Sequence, residues 1–306
     1  MLADATAGDP ITGLKWTRKT IRKLARQLGH QFKVGRTTVG RLLRRKRFRQ
    51  RVNRKRLNRR QDPQRDVQMR YIACVRRQFQ RQQLPVISVD TKKKELIGPF
   101  RNAGRTWRHQ PLEVLATDFA NDADGKAIPY GIYDVTRNAG YVVVGTSHET
   151  SAFAIAAIRS WWLTIGRLVY PDATALLIEA DSGGANGNRC WLWKAGLQDL
   201  ADEFGLRITV THFPTAASKW NLIEHRLFSQ ISTNWAGQPL INFETVIKFI
   251  RTTKTESGLN CRARLDTREY ETRLTVTAED RAHINFARQH VRPHYNYTIG
   301  PRTAPH

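Results

Sequence analysis

Beyond residue 85 the chain alternates two kinds of apolar pattern. Runs 86–90, 128–136, 140–147, 175–180 and 206–213 are short, rich in β-branched and aliphatic residues, and bounded by polar or turn-forming stretches, so they read as strands. Stretches 150–162, 191–204, 220–231 and 243–252 instead repeat apolar residues at helical spacing. Arg137, Asn138 and Ala139 separate the second and third strands by a hairpin's length, which makes those two antiparallel neighbours. The later strands are joined through helices, and that requires parallel pairing by crossover. The result is an α/β domain, a mixed five-stranded sheet flanked by helices on both faces.

Upstream the pattern is helical and basic. Residues 17–28 (TRKTIRKLARQL) place Ile21, Leu24, Ala25 and Leu28 on one face, and Gly29 follows as a stop. Residues 36–47 (RTTVGRLLRRKR) repeat the pattern with Val39, Leu42 and Leu43, and Thr37 or Thr38 can cap them. Two such helices around GHQFKVG suit an N-terminal, all-α, helix-turn-helix-like DNA-binding module. In that arrangement Arg36, Thr37, Thr38 and Arg41 stand at the groove end. Arg44, Arg45, Lys46 and Arg47 hold phosphates, which position a protein without reading sequence. A basic hairpin gripping phosphate without specificity is the bland alternative. Residues 48–60 continue as an arginine-rich arm. Asp62 and Pro63 then read as the cap and first turn of a connecting helix with Val67, Tyr71, Cys74, Val75 and Phe79 on one side. The predicted division is 1–60 for the basic module, 61–84 for the connecting helix, 85–256 for the α/β domain and 257–306 for a C-terminal appendage.

Charge sharpens this division. The 306 residues carry a net +25. Residues 1–81 hold 25 Lys/Arg against Asp4, Asp9, Asp62 and Asp66, a net of +21, and the rest is close to balanced at +4. The first quarter is therefore built for a polyanion. A hydrophobic content of 40% is enough for the remainder to bury a core. No apolar run reads as long enough to cross a bilayer, and MLADATAGDPITG lacks the pattern of a secretory leader. The expectation is a cytoplasmic, nucleoid-associated protein with no membrane partner. Cys74, Cys190 and Cys261 are far apart and read as reduced thiols, not as a zinc site or a disulfide framework.

The chemistry centres on acids. Asp181 ends the apolar strand 175–180 and opens the small-residue loop Ser182-Gly183-Gly184-Ala185-Asn186-Gly187. Ligands of open α/β sheets bind off the carboxyl ends of strands. Asp90 lies near the end of the first strand, which a ribonuclease-H-like layout sets beside the strand of Asp181. In 220–231, Trp220, Ile223, Leu227, Phe228 and Ile231 cover one helical arc, and Glu224 falls inside it. A carboxylate in a core-facing stripe is costly unless a cation or a metal meets it. Three acids without His or Cys ligands favour a hard ion, Mg²⁺ or Mn²⁺, and a pair of such ions suits in-line phosphoryl transfer. The loop lacks the Lys-Ser/Thr ending of a P-loop, so no nucleotide cofactor is expected. Asp134 is a reserve acid, His225 a possible auxiliary beside Glu224, and His212 a flanking residue. Glu179 is read as facing away from Asp181. Trp161, Trp162, Trp191 and Trp193 read as core, while Trp220 or Trp235 could stack on an unpaired base. Each acid alone has a bland reading as a turn or helix cap.

The sheet order and the acids match a ribonuclease-H-like layout. The blocks VISVDTKKKELIGPFRNAGRTWR, GKAIPYGIYDVTRNAGYVVVG, IEADSGGANGNRCWLWK, HFPTAASKWNLIEHRLFSQIS and HYNYTIGPR resemble the Rhodopirellula-type DDE transposases of bacterial insertion sequences. The resemblance runs from about Asp62 to Arg302. IEADSGG departs mildly from a Thr-Ala-Asp-Gly-Gly-Gly type of loop. The resemblance implies divalent-metal-dependent cleavage and strand transfer on double-stranded DNA at element ends. It places the catalytic acids at Asp90, Asp181 and Glu224, the three the residues themselves single out, and implies a homo-oligomer on DNA. A related metal-dependent nuclease and a catalytically decayed DNA-binding repressor are the rival readings.

Overall fold

The computed structural model describes residues 6–8, 15–17, 19–49, 62–215, 217 and 220–302. By its internal contacts the chain divides into two units, 1–59 and 60–306.

The first unit is not all-α. Strands β1 (Thr6–Gly8) and β2 (Lys15–Thr17) pair antiparallel ahead of the helices. Three-residue strands are too short for an alternating pattern to show in sequence. Helix α1 (Ile21–Gly29) starts later than its periodicity predicts, because the Thr20 hydroxyl accepts the Lys23 N–H at 3.2 Å and caps it. Helix α2 (Arg36–Arg45) has Gly35 as its cap, with no side-chain bond. Thr37 and Thr38 therefore sit inside its first turn, where they cap nothing. Leu24 and Val39 are the buried positions of the two helices. Arg36, Thr37, Arg41, Arg44, Arg45, Lys46 and Arg47 are exposed, and Thr38 is partly buried. Residues 50–61, most of the arginine-rich arm, lie outside the described residues.

The second unit is built on a nine-stranded sheet. Its centre has the predicted strands: β3 (Val86–Thr91), β5 (Gly125–Asp134), β6 (Ala139–Gly145), β7 (Ala175–Ala180) and β8 (Arg207–His212). They lie in the order β6-β5-β3-β7-β8, with β5 antiparallel to both its neighbours and the β3–β7 and β7–β8 pairs parallel. That is the ribonuclease-H-like arrangement, with four further strands. β4 (Glu95–Ile97) pairs with the start of β5. The segment beyond 256 supplies the others at both margins. β9 (Asn260–Asp266) runs parallel to β6, and β11 (Asn296–Ile299) pairs antiparallel with β8 and with β10 (Phe286–Arg288). The alternating burial of β9, with exposed Arg262 and Arg264 following buried Cys261 and Ala263 in turn, is the signature of an edge strand with one dry face.

Helices cover both faces. On one lie α4 (Ser151–Trp161), a π-helical turn (Trp162–Gly166), α5 (Arg167–Val169) and α6 (Trp191–Phe204), of which α4, the turn and α6 share a core with Ile87, Val89, Ile178 and Val210. Trp161, Trp162 and Trp193 are buried there, and Trp191 is partly buried. The continuous stretch Ser151–Val169 is the one helix among the described residues long and apolar enough to cross a membrane, contrary to the sequence reading. Its apolar residues Phe153, Ala154, Ala157 and Ile158 are packed in this core instead. On the opposite face lie α3 (Arg65–Arg81), a π-helical turn (Glu224–Phe228) continued by α7 (Ser229–Asn234), and α8 (Phe243–Arg251). The small helix α9 (Ala278–Ala282) precedes β10. The described cysteines are free.

Helix α3 is docked on the sheet. Its buried stripe is Gln68, Ile72, Val75 and Phe79; of the side read from sequence Val75 and Phe79 are buried and Tyr71 partly so, while Val67 and Cys74 face out. A polar residue inside the stripe displaced the reading: Gln68 is buried because it donates to His212 O at 2.9 Å and to Asn296 Oδ1 at 2.7 Å. Arg76 donates from Nε and from Nη2 to the two Glu179 oxygens, each at 2.7 Å. Glu179 is fully buried. Burial pushes its pKa up, and Arg76 draws it back down. Arg76→Ala strands that carboxylate, so unfolding in urea should show a loss of about 3–5 kcal/mol. Adding Glu179→Gln to that variant should restore part of it.

Candidate active site

Parallel pairing of β3 and β7 sets Val89 opposite Ala180, so the next residue of each strand is an acid, Asp90 and Asp181. On its other side Asp90 stands opposite Gly131 of β5. Gly131 leaves a notch: a Cβ there would lie 2.4 Å from Phe228 Cε1 and 2.9 Å from Ile223 Cδ1. The segment that carries Glu224 sits in that notch. Only a residue without a side chain lets it approach β5, opposite Asp90, so closely.

Glu224 opens the π-helical turn, closed by the Ser229 N–H donating to Glu224 O. Such turns are rare, and they recur at functional sites. The widened turn buries Ile223, Leu227, Phe228 and Ile231 as predicted, and leaves Glu224 half-buried. Trp220 precedes the helix and is exposed, with the Arg65 guanidinium 3.9 Å above its ring, so it is not part of the apolar arc.

Hydrogen bonds fix the acids. Asp90 Oδ1 accepts the Thr91 N–H at 2.8 Å and Oδ2 accepts Asn221 Nδ2 at 2.9 Å. Asn221 is itself held by the Ser88 hydroxyl, which donates to its Oδ1 at 2.9 Å. Asp181 Oδ1 accepts the Ser182 N–H at 2.7 Å. The Asp181 carbonyl lies 2.9 Å from His212 Nδ1, and His212 Nε2 lies 3.1 Å from the Tyr297 hydroxyl. Trp193 Nε1 donates to that hydroxyl at 3.0 Å. Burial lowers the His212 pKa to about 4, so its ring is neutral at pH 7. Facing a carbonyl, Nδ1 must carry the proton, and Nε2 then accepts from Tyr297.

The electrostatics are those of crowded acids. Burial raises the Asp90 pKa to about 7, and the charges of Asp181, Glu224 and Glu149 push the same way, against the Thr91 N–H. Burial also raises Glu224, with Asp181 adding to it and Lys92 and His225 opposing. Lys92 is buried, 2.6 Å from Glu95 Oε1, with its Nζ 4.5 Å over the Trp235 ring. Glu149, which salt-bridges Lys94 at 3.1 Å, leans over the glycine loop: a Cβ on Gly184 would lie 3.5 Å from its Oε1.

The structure thus brings Asp90, Asp181 and Glu224 into one electrostatic neighbourhood, with His225 beside Glu224. Among the described residues no group of three His, Cys, Asp or Glu is close enough to hold a metal by itself. The donors are nevertheless all carboxylate oxygens, and their mutual repulsion is the kind of strain a hard divalent ion relieves. Mg²⁺ or Mn²⁺ fits that set, with further oxygens needed to complete a shell.

Asp134 is elsewhere. It faces Ile87, three positions along β5 from Gly131, about 10 Å at strand spacing. Its carboxyl group caps the following turn, accepting from Thr136 and Arg137 N–H and from the Tyr170 hydroxyl. Glu179 does share the face of Asp181, being two residues from it on one strand, but it belongs to Arg76. Trp235 is buried beneath Lys92 and offers no ring to a base. Asn221, Lys92 and Glu149 went unread. Asn221 stands three residues before Glu224, on the same side of a turn, and that spacing was the only available signal.

A family model described as the Rhodopirellula transposase DDE domain matches residues 1–301. No curated protein matches the chain. Among solved structures it is similar to the Mos1 transposase paired-end complex with left transposon end, at 16% identity and TM-score 0.47, covering 76% of this chain and 65% of that one. It is also similar to the Mos1 mariner paired end complex with Mn, at 18% identity and TM-score 0.43, with coverages of 76% and 65%. The Mos1 Strand Transfer Complex gives 16% identity and TM-score 0.45, with coverages of 76% and 64%. The chain thus spans about two thirds of the length of these solved chains, 64–65%.

The raised Asp90 pKa has a consequence for the metal-free protein. A folded pKa near 7 against an ordinary 3.8 means that the folded state holds the proton more tightly. Its contribution to stability is therefore full below pH 4 and is lost as pH rises toward 7. In chelator, Asp90→Asn should remove that loss and be the more stable protein at pH 8, by a few kcal/mol. Thermal unfolding of both proteins between pH 4 and 8 checks the sign, and added Mn²⁺ should narrow the gap by stabilising only the wild type.

Proposed function

The chain belongs to the family of Rhodopirellula transposase DDE domains, and from that premise we propose that it cleaves and joins DNA at insertion-sequence ends, with Asp90, Asp181 and Glu224 as its metal-binding catalytic acids. One observation carries the assignment. Acids from three separate segments are crowded at one sheet edge, where Asp90 and Glu224 are raised in pKa by burial first and by neighbouring acids, Asp181 acting on both. A protein selected for stability alone has no use for that arrangement.

Mg²⁺ or Mn²⁺, as two ions, is the cofactor that suits the acids. When bound, such ions supply charge neutralisation at the attacking and leaving oxygens of an in-line displacement. The chain's own residues do the positioning. The Asn221 amide, oriented by Ser88, aims Asp90 Oδ2, while the Thr91 N–H holds Oδ1. The neutral His212, set between Tyr297 and the Asp181 carbonyl, fixes the backbone from which the Asp181 carboxylate projects. Lys92 is the cation that opposes the charge on Glu224. In cleavage, a water oxygen attacks the phosphorus, the P–O3′ bond breaks, and the 3′ oxygen leaves with a proton. In joining, that 3′-hydroxyl attacks the phosphorus of a second phosphodiester and loses its proton, the P–O3′ bond of that phosphodiester breaks, and its 3′ oxygen leaves with a proton. The small-residue loop Ser182–Gly187 leaves room for a DNA backbone. Gly183 has nothing within 4 Å of where a Cβ would stand.

The first unit binds the element's ends, through a helix-turn-helix-like use of α2. Arg36, Thr37, Thr38 and Arg41 approach base edges, and Arg44, Arg45, Lys46 and Arg47 hold phosphates. The working form is a homo-oligomer that bridges two ends, in the cytoplasm and associated with the nucleoid. Glu224→Gln keeps the shape of the side chain and removes its charge. It should lower Mn²⁺-dependent cleavage of end-containing DNA by at least about 10³-fold, on the scale of other essential catalytic groups. DNA affinity, read by anisotropy, should stay the same. Cleavage at the wild-type rate in this variant rejects the site. Nicking without strand transfer from precut ends favours a hydrolytic nuclease.

A further inference from the structure

Trp107 is fully exposed, at 105% of its extended-chain accessibility. Burying a tryptophan is one of the larger gains open to a side chain, so one held out in water is available for a partner. It sits in the segment RNAGRTWRHQ, where Arg101, Arg105, Arg108 and His109 surround it and no acid appears before Glu113. Arg101 and Arg105 are exposed.

The segment is pinned at its base. The Gly237 N–H donates to Ala103 O at 2.9 Å, and Asn102 Nδ2 donates to Trp235 O at 3.3 Å. The Leu115 N–H donates to Pro99 O at 2.9 Å. Arg108 donates from Nε to Thr106 Oγ1 at 3.0 Å and from its guanidinium to Gln238. Gly104, at φ +121°, lies so close to the turn after α7 that a Cβ there would stand 2.6 Å from the Ala236 Cβ. The anchor is Trp235 and the turn that follows it. The ring of Trp235 carries Lys92, the cation that opposes Glu224. The pinned segment is therefore joined by contacts to the neighbourhood of the three acids.

We propose that residues 101–109 form a finger that grips DNA beside the reacting phosphate, with Trp107 stacked on a base face and Arg101 and Arg105 on flanking phosphates. This rests on the reading of the protein as a DNA transposase and adds a DNA contact within the catalytic unit, separate from the first unit. Charge selects the occupant. Residues 101–109 hold Arg101, Arg105 and Arg108 and no acid, a local excess of positive charge that attracts a polyanion. An aromatic ring between cations is also the pairing that single-stranded or unstacked bases take, through stacking and backbone neutralisation. A fixed base means little ordering cost when the ring engages.

The test uses the full chain and a duplex with a short 3′ single-stranded end carrying 2-aminopurine, read by anisotropy and by probe fluorescence. The wild type should bind and quench the probe. Trp107→Ala should bind roughly 5- to 100-fold more weakly, the range base stacking commands, and quench little. Trp107→Phe should keep most of both. Arg101→Ala with Arg105→Ala should leave quenching at saturation intact and reduce the slope of log affinity against log salt by about 1–2. Because the ring touches no core, thermal unfolding should be unchanged in every variant. Unchanged affinity and quenching in Trp107→Ala overturns the proposal. So does a loss of self-association in that variant, seen by sedimentation, with DNA binding intact, since the finger would then serve a second copy. No DNA binding by the wild type overturns both this and the transposase reading. Normal quenching without any metal-dependent cleavage overturns only the transposase reading.

Discussion

The site depends on the parallel pairing of two short strands. Because Val89 lies opposite Ala180, both strands end their apolar run at the same level and place an acid one residue later. A slip of one residue in that register would turn Asp90 or Asp181 to the other face. The register is protected by what flanks it. Ile87, Val89, Ile178 and Ala180 are completely buried under α4 and α6, and on the opposite face Leu177 and Val86 pack against α3. The hydrophobic pattern that makes the sheet is therefore also what aligns the acids.

Bringing acids together in a half-dry place has a cost that the surroundings partly offset. Asn221 and two backbone N–H groups hold carboxylate oxygens, Lys92 stands near Glu224, and Lys94 meets Glu149. These groups lessen the repulsion without cancelling it, since burial keeps Asp90 and Glu224 above the ordinary carboxylate range. The residual tension stores a preference for a cation. Gly131 completes the geometry on the third side, where Phe228 and Ile223 occupy the space of its missing side chain. Outside this neighbourhood, the buried carboxylate of Glu179 has its own arginine.

Much of this was legible in the sequence, for physical reasons. The five central strands announce themselves because both of their faces are dry, and the helices because their apolar faces recur every three to four residues. Glu224 stood out by breaking such a face. What stayed hidden depends on pairing between distant residues. Asn221, Ser88 and Lys92 act through partners that no local pattern predicts. Asp134 read as a reserve acid, and the antiparallel register of β3 and β5 sets it three residues from the position opposite Asp90, as a turn cap. The segment after 256 gave no strand signal clear enough to place, because edge strands such as β9 carry arginines on their wet face. Trp235 read as a possible base platform and is instead the buried support beneath Lys92, whereas Trp107, between the first two of the predicted strands, is the exposed ring.

The central claim is that Asp90, Asp181 and Glu224 together bind the divalent ions of the site. Crystals of the protein grown with Mn²⁺ and a short duplex, measured by anomalous scattering at the manganese edge, test it most directly. The account predicts anomalous density among these acids, two peaks that between them contact carboxylate oxygens of all three residues and are completed by oxygens of DNA or water. A peak bound elsewhere, or none among these three acids while the DNA is in place, would contradict it.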